Sequence, residues 1–217
     1  MKKLKLIYVF DAHCSWCFAF SKVVLAIQEK YADTFDFEVL SGGMVVGDRT
    51  GPIKNAAPPN LLEIYGRIES MTGTKFSEAY LAKAEKGDSL VNSEIPAAAL
   101  ATFKKYRPEK AMTFAHDLQE KLFVDAMDVD DSELYHSLAN EFGIDAAAFY
   151  QEMQTSDAKE AARYEFSLAK QLQVTGYPQL LVQTGDTHFY LIARGYIDSG
   201  TLEERLQKVM GELAKAQ

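Results

Sequence analysis

The strand-forming segments of this 217-residue chain lie only near its two ends. Leu4 to Phe10 is almost continuously apolar apart from Lys5, as in a central strand covered on both faces of an α/β sheet. Trp16, Phe20, Val23, Val24 and Ile27 then recur at helical spacing as far as about Tyr31. Phe35, Phe37 and Val39 alternate with Asp36 and Glu38, the pattern of a strand with one wetter face. Between Val45 and Gln154 no β-branched alternating run occurs, so the middle of the chain is expected to be all helix.

Glycines 42, 43, 47 and 51 and prolines 52, 58 and 59 punctuate the entry to that middle. Apolar stripes follow at helical spacing: Pro96 to Tyr106, Phe114–Leu118–Leu122 and Leu134–Leu138–Phe142, then a segment capped by Asp145. Asp157 with Glu160 reads as a capping box before a stripe of Tyr164, Leu168 and Leu172. After the turn Thr175-Gly176-Tyr177-Pro178, Leu180–Val182 and Phe189–Ala193 read as an antiparallel hairpin joined through Gly185-Asp186. Thr201 with Glu204 is the expected capping box of a last helix whose buried face is Leu202, Leu206, Val209 and Leu213.

The length suits one domain carrying a large insertion. Residues 44–156 are read as the helical insertion, and 1–43 with 157–217 as a single α/β domain interrupted once. With 47% apolar and 25% charged residues the chain can bury a sizeable core. Its 23 basic against 31 acidic side chains leave a net charge of −8, which disfavours phosphate backbones and anionic lipid, so neither nucleic acid nor membrane is an expected partner. Met1-Lys2-Lys3-Leu4-Lys5 starts like a signal peptide, but Asp11 and His13 cut the apolar run too short for one. No apolar stretch reaches the length of a membrane span, and the expected location is the cytoplasm.

The only two cysteines, Cys14 and Cys17, leave the first strand and open the first helix as Cys14-Ser15-Trp16-Cys17. Unpaired N–H groups and the positive end of a helix dipole would surround the Cys14 sulfur, an environment that stabilises a thiolate. Cys17, one turn later, is placed to resolve a mixed disulfide on Cys14 and leave an intramolecular disulfide. Half of a zinc site is the competing reading, but four ligands are wanted and no second CxxC or paired histidines exist. No metal or organic cofactor is expected. His116 with Glu120 shares a helix face and reads as solvated surface.

The segments Asp11-Ala12-His13-Cys14-Ser15-Trp16-Cys17 and Thr175-Gly176-Tyr177-Pro178 resemble the DsbA-like branch of the thioredoxin superfamily, and the layout resembles its cytosolic FrnE-like members. The resemblance covers essentially the whole chain and implies a thioredoxin-like fold, a central mixed sheet flanked by helices, interrupted by an all-helical domain. It implies that Cys14 and Cys17 are catalytic, that Pro178 is cis and lies against them, and that Tyr177 meets an extended substrate by strand addition. Thr175, and Gly42 and Gly43 of the loop Ser41-Gly42-Gly43-Met44 on the same rim, are expected to line the substrate groove. His13, Ser15, Trp16 and Asp11 are read as tuning the cysteines.

Two features depart from the family pattern. Tyr8 stands where many such proteins carry a buried acid, which leaves Asp11 as the candidate proton acceptor for Cys17, unless it only caps the turn. The Ser15-Trp16 dipeptide is uncharged, and a protonated His13 would partly substitute if it lies near the sulfur. The implied function is disulfide reduction, isomerisation or oxidation on protein or peptide substrates, with a cellular thiol reductant or glutathione as partner. Two rivals remain: a glutathione-dependent enzyme of the kappa-transferase or chromene-carboxylate isomerase type, in which Cys14 replaces the activating serine, and a redox-switched chaperone-like binding protein.

Overall fold

The computed structural model describes residues 3–215; Met1 and Lys2 of the basic N-terminus, and Ala216 and Gln217, lie outside the described residues. Strand β1 (Leu4–Phe10) leads through helix α1 (Ser15–Lys30) to the parallel strand β2 (Phe35–Ser41). The helical middle follows, holding β3 (Gly51–Pro52), α2 (Ile53–Ala56), α3 (Leu61–Thr72), α4 (Glu78–Lys86), β4 (Leu90–Val91), α5 (Glu94–Tyr106), α6 (Ala111–Phe123), α7 (Ser132–Glu141) and α8 (Ala146–Met153). Helix α9 (Ser156–Gln171) returns to the sheet, and β5 (Gln179–Gln183), β6 (Phe189–Arg194) and α10 (Ser199–Lys215) complete the chain.

The main sheet has the order β2-β1-β5-β6, with β5 antiparallel to both β1 and β6. The apolar run of β1 is thus interior, as its composition requires. Leu6, Tyr8 and Phe10 face α1 and α10, while Ile7 and Val9 face α9 in a smaller cluster with Leu40, Ala169 and Leu181. The register of β1 on β2 runs from Leu4 opposite Phe35 to Phe10 opposite Ser41, so both strands end on one rim.

The middle is not wholly helical. Gly51–Pro52 and Leu90–Val91 form a two-residue antiparallel ladder, built by backbone pairing of loops that carry no strand pattern. Aromatic packing joins this region to the sheet: the Phe18 ring of α1 lies 5.3 Å from that of Phe123 and 6.0 Å from that of Phe76, and Tyr65 stacks 4.7 Å from Phe76. One contiguous apolar cluster therefore runs from β1 into α3, α6 and α7.

Helix α9 departs from its expected stripe. Thr155, not Asp157, is its N-cap, accepting from the Ala158 N–H at 3.3 Å. Its buried face carries Ala158, Ala162, Glu165 and Ala169, whereas Tyr164 is 62% exposed. Small residues serve here because Ala158 and Ala162 pack directly on Ala97 and Ala98 of α5. Glu165 accepts from the Ser41 N–H at 2.8 Å and from Lys104, which also donates to the Val39 carbonyl, so α5 and α9 pin the end of β2. Asp198 caps α10, not the pair Thr201 and Glu204: its Oδ1 accepts from the Thr201 N–H at 2.9 Å.

Candidate active site

The chain leaves β1 at Asp11 and turns into α1 with Cys14 as the N-cap residue. Cys14 Sγ accepts from the Cys17 N–H at 3.1 Å, so the sulfur occupies the position of a capping oxygen, at the positive end of the helix. Both cysteines are free thiols. Cys14 keeps 6% of its surface and Cys17 none. Burial pushes the Cys17 thiol well above the usual thiol range, and its hydrogen bond and charge coupling to Cys14 push it further.

Asp11 is 2% exposed, and its carboxylate accepts from the His13 N–H (3.0 Å), the Met44 N–H (2.7 Å) and the Ser93 hydroxyl (3.0 Å). It therefore ties the cysteine turn to the loop after β2 and to the start of α5, which is more than the capping of one turn. Ser93 in turn accepts from the Val45 N–H at 2.9 Å. Gln119, fully buried on α6, directs Nε2 at the carbonyls of Asp11, Ala12 and Cys14 at 3.1–3.3 Å. Sequence reading gave no role to Asn92, Ser93 or Gln119. A usable signal existed for Gln119, a polar residue in line with Ala115, Leu118 and Leu122 on a buried helix face.

His13 does not act as a cation beside the sulfur. Its Nε2 accepts from the Asn92 N–H at 3.1 Å, which requires an unprotonated nitrogen, and burial lowers its pKa despite the neighbouring Asp11. The ring is fastened to the loop before α5. Ser15 is buried in the first turn of α1, and the half-buried Trp16 ring packs 6.3 Å from Tyr196. Tyr8 lies beneath the pair, its hydroxyl donating to the Cys17 carbonyl at 3.1 Å, and burial pushes its phenol well above the ordinary range.

The second loop reaches the site through Tyr177. The Tyr177–Pro178 peptide bond is cis, and the Pro178 carbonyl accepts from the Gly195 N–H at 2.8 Å. The Tyr177 hydroxyl donates to the Gly42 carbonyl at 2.6 Å. Burial, with the charges of Asp11 and Cys17 nearby, pushes the Tyr177 phenol up to about 12. A Cβ on Gly42 would stand 2.0 Å from Tyr177 Cε1, and one on Gly43, whose φ is +73°, 2.8 Å from the Phe166 ring. The close approach that these glycines allow is thus made by the protein's own side chains. Gly42 is buried beneath Tyr177 and offers no groove surface of its own. Thr175 is exposed, and its hydroxyl accepts from Arg194 at 3.3 Å.

A separate group of side chains of the kinds that can ligate a metal lies on α6: His116, Asp117 and Glu120. His116 is not solvated surface. It is 8% exposed and stacks on Phe18 at 5.9 Å. Among the described residues, no helix is long and apolar enough to cross a membrane.

Comparison with known proteins matches residues 5–207 to the family model of the DSBA-like thioredoxin domain. A candidate protein disulfide isomerase from Nitrosomonas europaea has 25% identity and a TM-score of 0.83, over 97% of this chain and 99% of that one. The cytosolic disulfide reductase DsbM of Pseudomonas aeruginosa, solved also with GSH, superposes with a TM-score of 0.73 at 19% identity, over 97% of this chain and 99% of that one. The ClpXP adapter protein SpxH of Bacillus cereus is 23% identical over 176 residues. That match takes in 80% of this chain but 58% of SpxH, so the chain spans little more than half the length of the curated relatives it matches.

Proposed function

Since the chain belongs to the DSBA-like thioredoxin domain family, we propose that it is a cytoplasmic thiol–disulfide oxidoreductase acting on protein or peptide substrates through Cys14 and Cys17. The observation that carries this reading is the asymmetry of the pair. Cys14 caps the helix with its sulfur facing the Cys17 N–H, while Cys17 is sealed beneath it with its thiol pushed up by burial. One thiol is set to attack and the other to wait.

In the reductive direction the Cys14 thiolate attacks one sulfur of a substrate disulfide, forming a mixed disulfide and expelling the other sulfur as a thiolate. Cys17 then loses its proton and attacks Cys14 Sγ, expelling the second substrate thiolate and leaving the Cys14–Cys17 disulfide. The proton passes to Asp11, whose charge already bears on the Cys17 thiol. Two equivalents of glutathione or another cellular thiol restore the dithiol, themselves oxidised to a disulfide. Glutathione as the reductant is supported by DsbM, whose solved structures include one with GSH. Tyr177, whose phenol feels the charges of both cysteines, is proposed with Pro178 to offer backbone to an extended substrate, with Thr175 at the outer end of that loop.

The test is a glutathione redox titration followed by the fluorescence of Trp16, the single tryptophan, with free thiols counted in parallel. A reversible Cys14–Cys17 couple near about −270 mV marks a reductase, and one near roughly −120 to −180 mV an oxidase or isomerase. Cys14→Ser is expected to abolish insulin reduction, and retained turnover in that variant would sink the reading. Glutathione-transferase activity that survives Cys17→Ser would instead favour the serine-type relatives.

A further inference from the structure

His116, Asp117 and Glu120 lie together on α6, and a hydrogen-bond chain from α1 bears on the tautomer of the histidine. Ser21 of α1 donates its single hydroxyl proton to the Phe18 carbonyl at 2.7 Å. Its oxygen also lies 2.7 Å from His116 Nδ1, and both contacts are hydrogen bonds at once only in the tautomer whose Nδ1 carries the proton and donates to Ser21. The Nε2 lone pair is thereby left free. It points from a residue only 8% exposed towards Glu120 Oε1, 3.5 Å away.

Nε2 and Oε1 are both acceptors, and no hydrogen bond joins them. Among the described residues, no donor hydrogen-bonds His116 Nε2 or the Asp117 carboxylate. Lys22 Nζ stands 3.7 Å from Glu120 Oε1 and 5.9 Å over the Phe18 ring and offsets one of the two negative charges, with its side chain 59% exposed. Lys121 is occupied by Asp125 and Glu141. Three potential ligand atoms therefore converge within 4.8 Å of one another.

We infer that His116 Nε2, Asp117 and Glu120 bind a divalent transition-metal cation of the zinc, cobalt and nickel class. The imidazole favours that class over Mg²⁺ or Ca²⁺, which take oxygen ligands. A tetrahedral site with bonds of about 2.0–2.1 Å sets its ligand atoms roughly 3.3 Å apart, close to the present separation of Nε2 and Oε1. Three protein ligands leave a fourth position for water, and the partial exposure of Glu120 supplies the route in. The Nδ1–H to Ser21 bond is the outer-sphere contact that holds a ligating imidazole in orientation. Because Ser21 and Phe18 belong to α1, the site is braced by the helix that carries the cysteines. It does not depend on the proposed redox role of those cysteines.

The 217-residue chain carrying Cys14→Ser and Cys17→Ser lacks the competing thiols and is titrated with CoCl₂ in equilibrium dialysis and visible absorption. One bound equivalent is expected, with d–d bands and no thiolate charge-transfer band. Glu120→Gln, a change at a half-exposed side chain, is expected to weaken binding at least tenfold, and Asp117→Asn with Glu120→Gln to remove it. Circular dichroism verifies that each variant is folded. Absence of Co²⁺ binding, or binding of equal affinity in the folded Asp117→Asn, Glu120→Gln variant, would overturn the assignment.

Discussion

Two loops meet at Cys14, and they are held in opposite ways. The cysteine turn, from Asp11 to Cys17, is gripped by the loop after β2, by the Asn92–Ser93 entry to α5 and by Gln119 of α6. The turn from Thr175 to Pro178 has a buried proline whose carbonyl accepts from the Gly195 N–H, and is otherwise tied by the Tyr177 hydroxyl on Gly42 and by Arg194 on Thr175. One loop has its polar groups spent inside the protein, and in the proposed reaction the other would offer the backbone of Thr175 to Tyr177 to a substrate. A nucleophile needs fixed geometry, whereas a surface that accepts varied extended chains needs unspent hydrogen-bonding groups. The helical middle thus serves the cysteines chiefly as a clamp from behind.

The largest effect should come from breaking that clamp. Asp11→Ala leaves the Met44 and His13 N–H groups and the Ser93 hydroxyl without their acceptor in a buried place. At about 1 kcal/mol or more for each stranded donor, the loss is roughly 3 kcal/mol, or a fall of about 6–12 °C in Tm for a chain of this size. Differential scanning calorimetry measures it, and a fall below about 2 °C would mean that the turn holds without its carboxylate.

Next is the contact where the two loops touch. In Gly42→Ala the new methyl collides with the Tyr177 ring, which must rotate out and release the Gly42 carbonyl. Overpacking of this kind costs about 1–3 kcal/mol. The expected kinetic signature is a rise in KM for a peptide disulfide of up to about tenfold with kcat little changed, since the cysteine turn is held from its other side. A kcat loss at constant KM would show that Tyr177 acts on the sulfurs rather than on the substrate.

Much of this contrast was hidden from sequence for a physical reason. The four strands of the main sheet, the first helix, the cysteine turn and the proline turn are local patterns and could be read directly. The clamp joins Asp11 to Ser93 and Gln119 to the Cys14 carbonyl across 82 and 105 residues, and no periodicity records such pairs. Tertiary contact reassigns side chains that the local pattern places elsewhere. His13 resembled a free histidine beside a cysteine but spends its Nε2 on Asn92; His116 resembled surface but is packed under α1; Tyr164 resembled core but yields to alanines where α9 meets α5.

A smaller effect concerns pH. Folding raises the Cys17 thiol pKa, so above the ordinary thiol range near 9 the unfolded chain releases this proton and the folded one keeps it. The unfolded state then binds fewer protons, and stability falls as pH rises, by at most about 1.4 kcal/mol per unit for this one group. Urea midpoints of the reduced protein between about pH 7.5 and 9.5 should decline, and Cys17→Ala should flatten the slope. An unchanged slope in that variant would place the proton elsewhere.

The smallest effect marks the boundary of the contrast. Thr175 is exposed, and its single polar contact is a 3.3 Å bond from Arg194, itself exposed. Surface substitutions of this kind stay within about 0.5 kcal/mol, so Thr175→Ala should leave Tm almost unmoved. If the loop presents backbone rather than side chains to its substrate, KM should also shift by less than about twofold, within what 0.5 kcal/mol allows. A larger KM change at constant Tm would mean that the Thr175 hydroxyl itself meets the substrate, and the outer loop would then recognise side-chain chemistry as well as extended backbone.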